Sequence, residues 1–217
     1  ENTSEDLLRT GIAPLSHLSY EAQLVFKQKQ VENNLKKIAG MPEVPVLPTI
    51  GMAKPDHYRN KAQIPVRKID GKLATGFYRK NSHDMIAIED FYIQDEAIDE
   101  AIVKVREILE RFGVKAYNET AHEGFLRHIV IRRGHYSHEI MVVLVTRKAK
   151  FFKGETIAEV IHEEIPEVVS VIQNINEERT TVIFGEKEVV LYGKSYLEDQ
   201  LLGKTFRISA PSFYQVN

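Results

Sequence analysis

The chain has 217 residues, 43% hydrophobic and 28% charged, with a formal net charge of −2 and no cysteine. This size and balance suit one large domain or two small ones around a real core, and exclude a fibrous, low-complexity or disordered chain. The absence of thiols excludes disulfides, thiolate metal sites, iron–sulfur clusters and a cysteine nucleophile within these residues.

In chain order, the first strong pattern is a long amphipathic helix from Ser19 or Glu21 to Ile38, with Leu24, Val31, Leu35 and Ile38 on one face. Gly40, Pro42, Pro45 and Pro48 end it and make residues 40–50 a connector. Ala62–Arg67 alternates, Asp70-Gly71 turns and Lys72–Tyr78 returns, which predicts a hairpin. Pro65 within it predicts an edge strand or a bulge. Asp95 caps a predicted helix whose apolar stripe runs through Ile98, Ala101, Ile102, Val105, Ile108 and Leu109.

The pattern then repeats. Arg127–Arg132 and Glu139–Thr146 form a second hairpin through Arg133-Gly134-His135. Thr156 caps a second helix through Ile157, Val160, Ile161 and Ile165, stopped by Pro166. Val168–Asn174, Thr180–Phe184, Glu188–Tyr192 and Thr205–Ser209 read as further strands. The expected fold is α+β: an antiparallel sheet built from repeated strand–strand–helix units, preceded by the long helix. No apolar run reaches membrane-spanning length and no charged-then-apolar leader is present, so a cytoplasmic protein with no membrane partner is expected.

Charge is segregated along the chain. Lys54–Lys80 holds eight bases against two acids, and Asp84–Glu100 seven acids and no Lys or Arg. Phe125–Lys153 holds seven bases against Glu139 alone, and Glu155–Glu178 seven acids and no base. If both helices pack on one face of a shared sheet, the hairpin bases Arg59, Lys61, Arg67, Arg79, Lys80, Arg127, Arg132 and Arg133 can gather elsewhere and neutralise phosphates. The alternative is a set of solvated faces whose signs cancel between neighbouring elements.

Phosphate-binding glycine loops and a nucleophile elbow are absent from the sequence. His135 and His138 have a spacing that a metal could use, but no third ligand stands near them in sequence, so no metal site is expected. Glu163/Glu164 and Glu177/Glu178 read as solvated acids. The segments His57–Lys61, Phe77–Lys80 and Phe125–His128 set aromatic rings beside cations, a pairing suited to unstacked RNA bases. Phe77 and Phe125 are expected in the core.

Six motifs stand in order: Tyr58-Arg-Asn-Lys-Ala-Gln63; Gly76-Phe-Tyr78 with His83 and Ile93-Gln94; Leu126-Arg-His128; Asn174-Ile-Asn176; Leu191-Tyr-Gly193; and Ser212-Phe-Tyr-Gln-Val-Asn217. Together they resemble the S-adenosylmethionine-dependent RNA uracil-C5 methyltransferases, in particular the Gram-positive enzymes of the 23S ribosomal RNA branch. The resemblance runs from about His17 to the last residue.

It implies a helix and linker over residues 1–50, a central RNA-binding α+β domain over 51–210, and the start of a Rossmann-like methyltransferase domain at 211–217. The glycine-rich cofactor loop, the cysteine nucleophile and the glutamate base are then expected downstream. No catalytic residue falls in this chain, and the chain alone is expected to be inactive. Where many relatives bind a four-iron cluster, this sequence has Thr10–Tyr20 and Phe91, so no cluster is expected and Ile12, Leu15 and Phe91 are expected to pack in its place.

For the intact enzyme the resemblance implies S-adenosylmethionine as cofactor and ribosomal RNA as partner, with no obligate protein partner. A uridine is flipped out, a cysteine adds to C6, C5 takes the methyl group, and a glutamate removes the C5 proton. Gln215 then touches cofactor or target base and Phe213 lines the pocket. Arg59, Lys61, Arg79, Lys80, Arg127, Arg132 and Arg133 hold RNA. Two other readings stay open: a stand-alone RNA-binding module and a charge-driven oligomerisation domain.

Overall fold

The computed structural model describes residues 2–214, in the order α1 (Asn2–Thr10), α2 (Tyr20–Lys37), β1 (Lys61–Ile69), β2 (Lys72–Tyr78), β3 (Met85–Ala87), α3 (Glu96–Arg111), β4 (Leu126–Arg133), β5 (Ile140–Thr146), α4 (Gly154–Glu164), β6 (Val168–Ile175), β7 (Lys187–Gly193), β8 (Leu197–Leu201) and β9 (Lys204–Ile208). Seven strands form one sheet in the order β3-β2-β1-β4-β5-β6-β7, and β8 and β9 form a separate hairpin. None of the described helices is long and apolar enough to cross a membrane.

The sheet is mostly antiparallel, with one departure from the expected pattern. Strands β5 and β6 are parallel, because α4 carries the chain back across the sheet before β6 begins. Alternate residues separate the two faces. Ala62, Ile64, Val66, Ile129, Ile131, Val142 and Leu144 pack against Ile98, Ile102, Val105 and Leu109 of α3 and Ile157 and Ile161 of α4. Val130, Met141, Val143, Val145 and Ile172 point the other way, under Leu197, Ile208 and Ala210 of the hairpin segment. Both helices therefore lie on one face, and the β8–β9 hairpin covers the strands β4–β6 on the other.

Pro65 lies in an interior strand, at the point where β1 changes partner. Lys61–Pro65 pair with β4 and Val66–Ile69 pair with β2, beside a register shift between Leu126 and His128. The missing N–H thus falls where one ladder ends and the next begins.

Asp95 caps α3 as expected, accepting from the Ala97 N–H at 2.9 Å. Helix α4 differs: it starts two residues before Thr156, after Lys153 in a left-handed conformation (φ 56°) and without a side-chain cap. Helix α2 forms with Ser19 as its N-cap, but it buries no residue; Val31 is 49% and Ile38 82% exposed. Its expected apolar stripe does not enter the core. The helix is held by the returning connector, through Gln28 Nε2 to the Val46 carbonyl (3.1 Å), Thr49 Oγ1 to the Leu24 carbonyl (3.0 Å) and the Met52 N–H to the Tyr20 hydroxyl (2.7 Å).

Residues 180–184 form no strand. Asn176 Nδ2 donates to the carbonyls of Val182 (2.8 Å) and Ile183 (3.1 Å), and Asn174 exchanges two hydrogen bonds with the Gly185 backbone. Side-chain amides take the place of a ladder there. Strand β8 escapes the sequence pattern because Leu197-Glu-Asp-Gln-Leu201 reads as polar. Its Asp199 is fully buried, accepting from the N–H groups of His135, Tyr136 and Ser137. Phe91 is fully buried and meets Phe77 edge-on at 5.3 Å between ring centroids; Ile12 packs against the same core.

Candidate functional site

The antiparallel register of β1 and β4 sets Lys61 directly opposite Arg132, on the face away from the helices. Arg59 continues from β1 and pairs with Gln94 in an isolated bridge, its N–H donating to the Ile93 carbonyl at 2.8 Å. The segment after β9 returns over the same place, where Arg132 Nη2 donates to the Ser212 carbonyl. The result is a recess of about 260 Å³ in which Arg59, Lys61 and Arg132 meet Asn60, Gln94 and Phe213. That volume lies below the range of drug-sized pockets and suits one planar ring or one phosphate with water.

Its electrostatics are one-sided. None of its three cations forms an ion pair among the described residues. Burial, then the charges of Arg132 and Arg59, push the Lys61 ammonium below its ordinary value. Burial lowers Arg132 to about 10, so it stays charged at neutral pH. Three buried polar atoms also lack a hydrogen-bond partner among the described residues: Asn60 Oδ1, Gln94 Oε1 and Arg132 Nε. Two acceptors and one donor thus go unused around a cationic recess, and each is costly unless something meets it. Phe213 stands at the rim, 92% exposed.

A second recess of about 710 Å³ lies farther along β1 and β4, where Arg67, Tyr78, His83, Tyr117, Arg127 and His128 converge. Here the charges are largely committed. Arg67 lies 3.6 Å from Glu119 and also donates to the Tyr78 hydroxyl; His83 approaches Glu119 at 2.9 Å. Burial and the charges of Arg67 and Arg127 hold His128 at about 3. Unpaired positive charge favours the first recess.

Of the site residues read from the sequence, Arg59, Lys61, Arg132 and Phe213 come together in the first recess. Arg79 and Lys80 are exposed, in the turn between Tyr78 and Ser82 of the second. Two others are engaged within the fold. Arg127 is 3% exposed, donates to the carbonyls of Asn176 (2.8 Å), Glu178 (2.6 Å) and Thr180 (3.0 Å), and lies 4.3 Å from the Tyr117 ring centre. Arg133, one residue after Arg132, faces the helix side and pairs with the α3 cap Asp95 at 2.9 Å. Strand alternation separates these neighbours. Gln215 lies outside the described residues. Neither charge nor aromaticity marks Asn60 or Gln94, although both stand in the motifs that carry the family resemblance.

The cationic recess does not fit S-adenosylmethionine. A sulfonium and an ammonium would enter a recess already holding three uncompensated cations, where an anion or a neutral ring is favoured. Among the described residues no glycine lines it.

Fold and recess together define a mixed α/β domain with a cationic, aromatic-rimmed cleft on the sheet face away from its helices. The chain is 57% identical over 213 residues to an uncharacterized RNA methyltransferase of Enterococcus faecalis, covering 98% of this chain and 47% of that protein. It is 57% identical over 209 residues to one of Lactiplantibacillus plantarum, covering 96% and 46%. Among solved structures it is similar to the Pyrococcus abyssi tRNA (uracil-54, C5)-methyltransferase in complex with S-adenosyl-L-homocysteine. That match has a TM-score of 0.71 and 27% identity, over 97% of this chain and 48% of that one. The chain spans about half the length of the curated relatives it matches. No protein-family model matches it.

Proposed function

We propose that this chain is the RNA-positioning part of an S-adenosylmethionine-dependent 23S rRNA uracil-C5 methyltransferase. The observation that carries the reading is the recess of Arg59, Lys61 and Arg132, cationic without an acidic partner among the described residues. Near-full-length similarity to part of named RNA methyltransferases supports it. The chain's residues bind and orient: the cations hold backbone phosphates, and Phe213 offers a face on which an unstacked base rests. Cofactor binding and methyl transfer are assigned to the part of the relatives that this chain does not span.

Two measurements test this. The intact enzyme should transfer labelled methyl groups from S-adenosylmethionine to C5 of uridine in unmodified 23S rRNA; labelling of tRNA alone would overturn the ribosomal assignment. Arg59→Gln with Lys61→Gln should weaken RNA binding and flatten the plot of log affinity against log salt by about 0.7–0.9 for each phosphate no longer neutralised. An unchanged slope would remove the recess from the interface.

A further inference from the structure

We propose that His57, Asp90 and Asp99 form a binding site for a divalent transition-metal ion, on the helix side of the segment whose other side carries Arg59. One ligand atom from each of the three lies within 4.8 Å of the other two. They come from three separate places: the connector before β1, the turn before α3, and the first turn of α3.

The donor atoms are held and free in the way a metal needs. The Nδ1 of His57 lies 2.8 Å from the Gln94 carbonyl, which makes Nδ1 the protonated nitrogen and leaves the Nε2 lone pair to coordinate. Asp90 and Asp99 each use one oxygen on backbone, Asp90 Oδ1 on the Tyr92 N–H (2.8 Å) and Asp99 Oδ2 on the Phe91 N–H (3.1 Å). These bonds fix the carboxylates and leave a second oxygen on each. Asp99 is only 8% exposed, and its Oδ1 is buried with no hydrogen-bond partner. Such an atom is costly unless a cation or donor meets it.

The surroundings favour a cation. The three residues open onto a cavity of about 870 Å³ lined by seven carboxylate side chains and two cationic ones. The two lining cations are engaged elsewhere, Arg133 with Asp95 at 2.9 Å and Lys104 Nζ with the Glu164 carbonyl at 3.1 Å, while the exposed Lys54 lies 4.0 Å from both Asp56 and Glu96 and would yield Glu96 to a bound ion. Glu96 Oε1, 3.6 Å from His57 Nε2, is placed to act as a fourth ligand. One imidazole with carboxylates selects manganese, iron or zinc over magnesium or calcium, which prefer all-oxygen shells. A bound ion would clamp the 57–60 segment against α3 and thereby brace Arg59 and Gln94, the wall of the cationic recess. The site is independent of the RNA reading.

The test uses the intact protein, stripped with EDTA and titrated calorimetrically with Mn²⁺ or Zn²⁺ alone. One ion should bind per chain and raise the melting temperature. His57→Gln and Asp99→Asn should each weaken binding about tenfold or more, whereas a His135→Gln/His138→Gln double variant should bind as before. Absence of binding to the folded protein, or equal binding by the His57 and Asp99 variants, would overturn the site. Should either variant not fold, the Mn²⁺ resonance spectrum of the unaltered protein decides: imidazole nitrogen coupling supports the site, and its absence overturns it.

Discussion

Lys61 and Arg132 face each other across the β1–β4 ladder, two like charges in a directly opposed pair. Opposed like charges destabilise a sheet by a few tenths to about 1 kcal/mol. Polyanion binding would turn that repulsion into attraction, so stability and binding should move in opposite directions when one charge is removed. Lys61→Met should raise stability to urea by about 0.5 kcal/mol while weakening RNA affinity. A variant less stable than the parent, or one binding RNA equally well, would contradict this account.

Arg127 should behave differently from Lys61. Its guanidinium satisfies three carbonyls of the 176–180 segment and lies on Tyr117. Arg127→Met should cost about 3 kcal/mol or more in denaturant unfolding, because the carbonyls lose charge-assisted donors together. Arg127→Lys should rescue little, since an ammonium does not reproduce the planar fork. A near-normal unfolding midpoint in Arg127→Met would show that these bonds contribute little.

His128 predicts an acid-side dependence of stability. Its folded value of about 3 lies below the ordinary 6.5, through burial and the charges of Arg67 and Arg127. Between those values the unfolded chain binds a proton that the folded chain refuses, so stability falls as pH drops from 6.5 towards 3. The slope from this group is at most about 1.4 kcal/mol per pH unit. His128→Phe should remove that part of the slope; matching pH profiles of the two proteins would refute the assignment.

Asn174 should act as a bracket for the loop before β7. It donates to the Gly185 carbonyl at 3.0 Å and accepts the Gly185 N–H at 2.8 Å, and a Cβ on Gly185 would lie 1.8 Å from the Ile175 carbonyl oxygen. Asn174→Ala should cost about 2 kcal/mol and speed amide exchange at Gly185. Gly185→Ala should loosen the same loop through the clash. Protection unchanged at Gly185 in Asn174→Ala would argue against the bracket.

Much of this organisation is legible in the one-dimensional pattern. The hairpins, the Asp95 cap and the α3 stripe follow from alternation, turn residues and three-and-four spacing, all of which act between near neighbours. The failures share a cause in distant contacts. Thr180–Phe184 has strand composition, but amides of Asn174 and Asn176 hold that stretch as a loop. Val31 and Ile38 have the spacing of a buried face, yet none of the described elements covers them.

The candidate site divides in the same way. Charge in the sequence marks Arg59, Lys61 and Arg132 but equally Arg79, Lys80, Arg127 and Arg133, and the family resemblance marks Phe213; the folded strand puts Arg132 and Arg133 on opposite faces. That Lys61 meets Arg132, that Arg127 is locked on carbonyls some fifty residues away, and that His57 reaches Asp90 and Asp99 depend on register and crossover. Local composition determined which side chains carry charge, aromatic faces and metal-binding atoms. Only the tertiary structure decided which of them meet, because burial, pairing and desolvation are set by neighbours that the chain brings together from far apart.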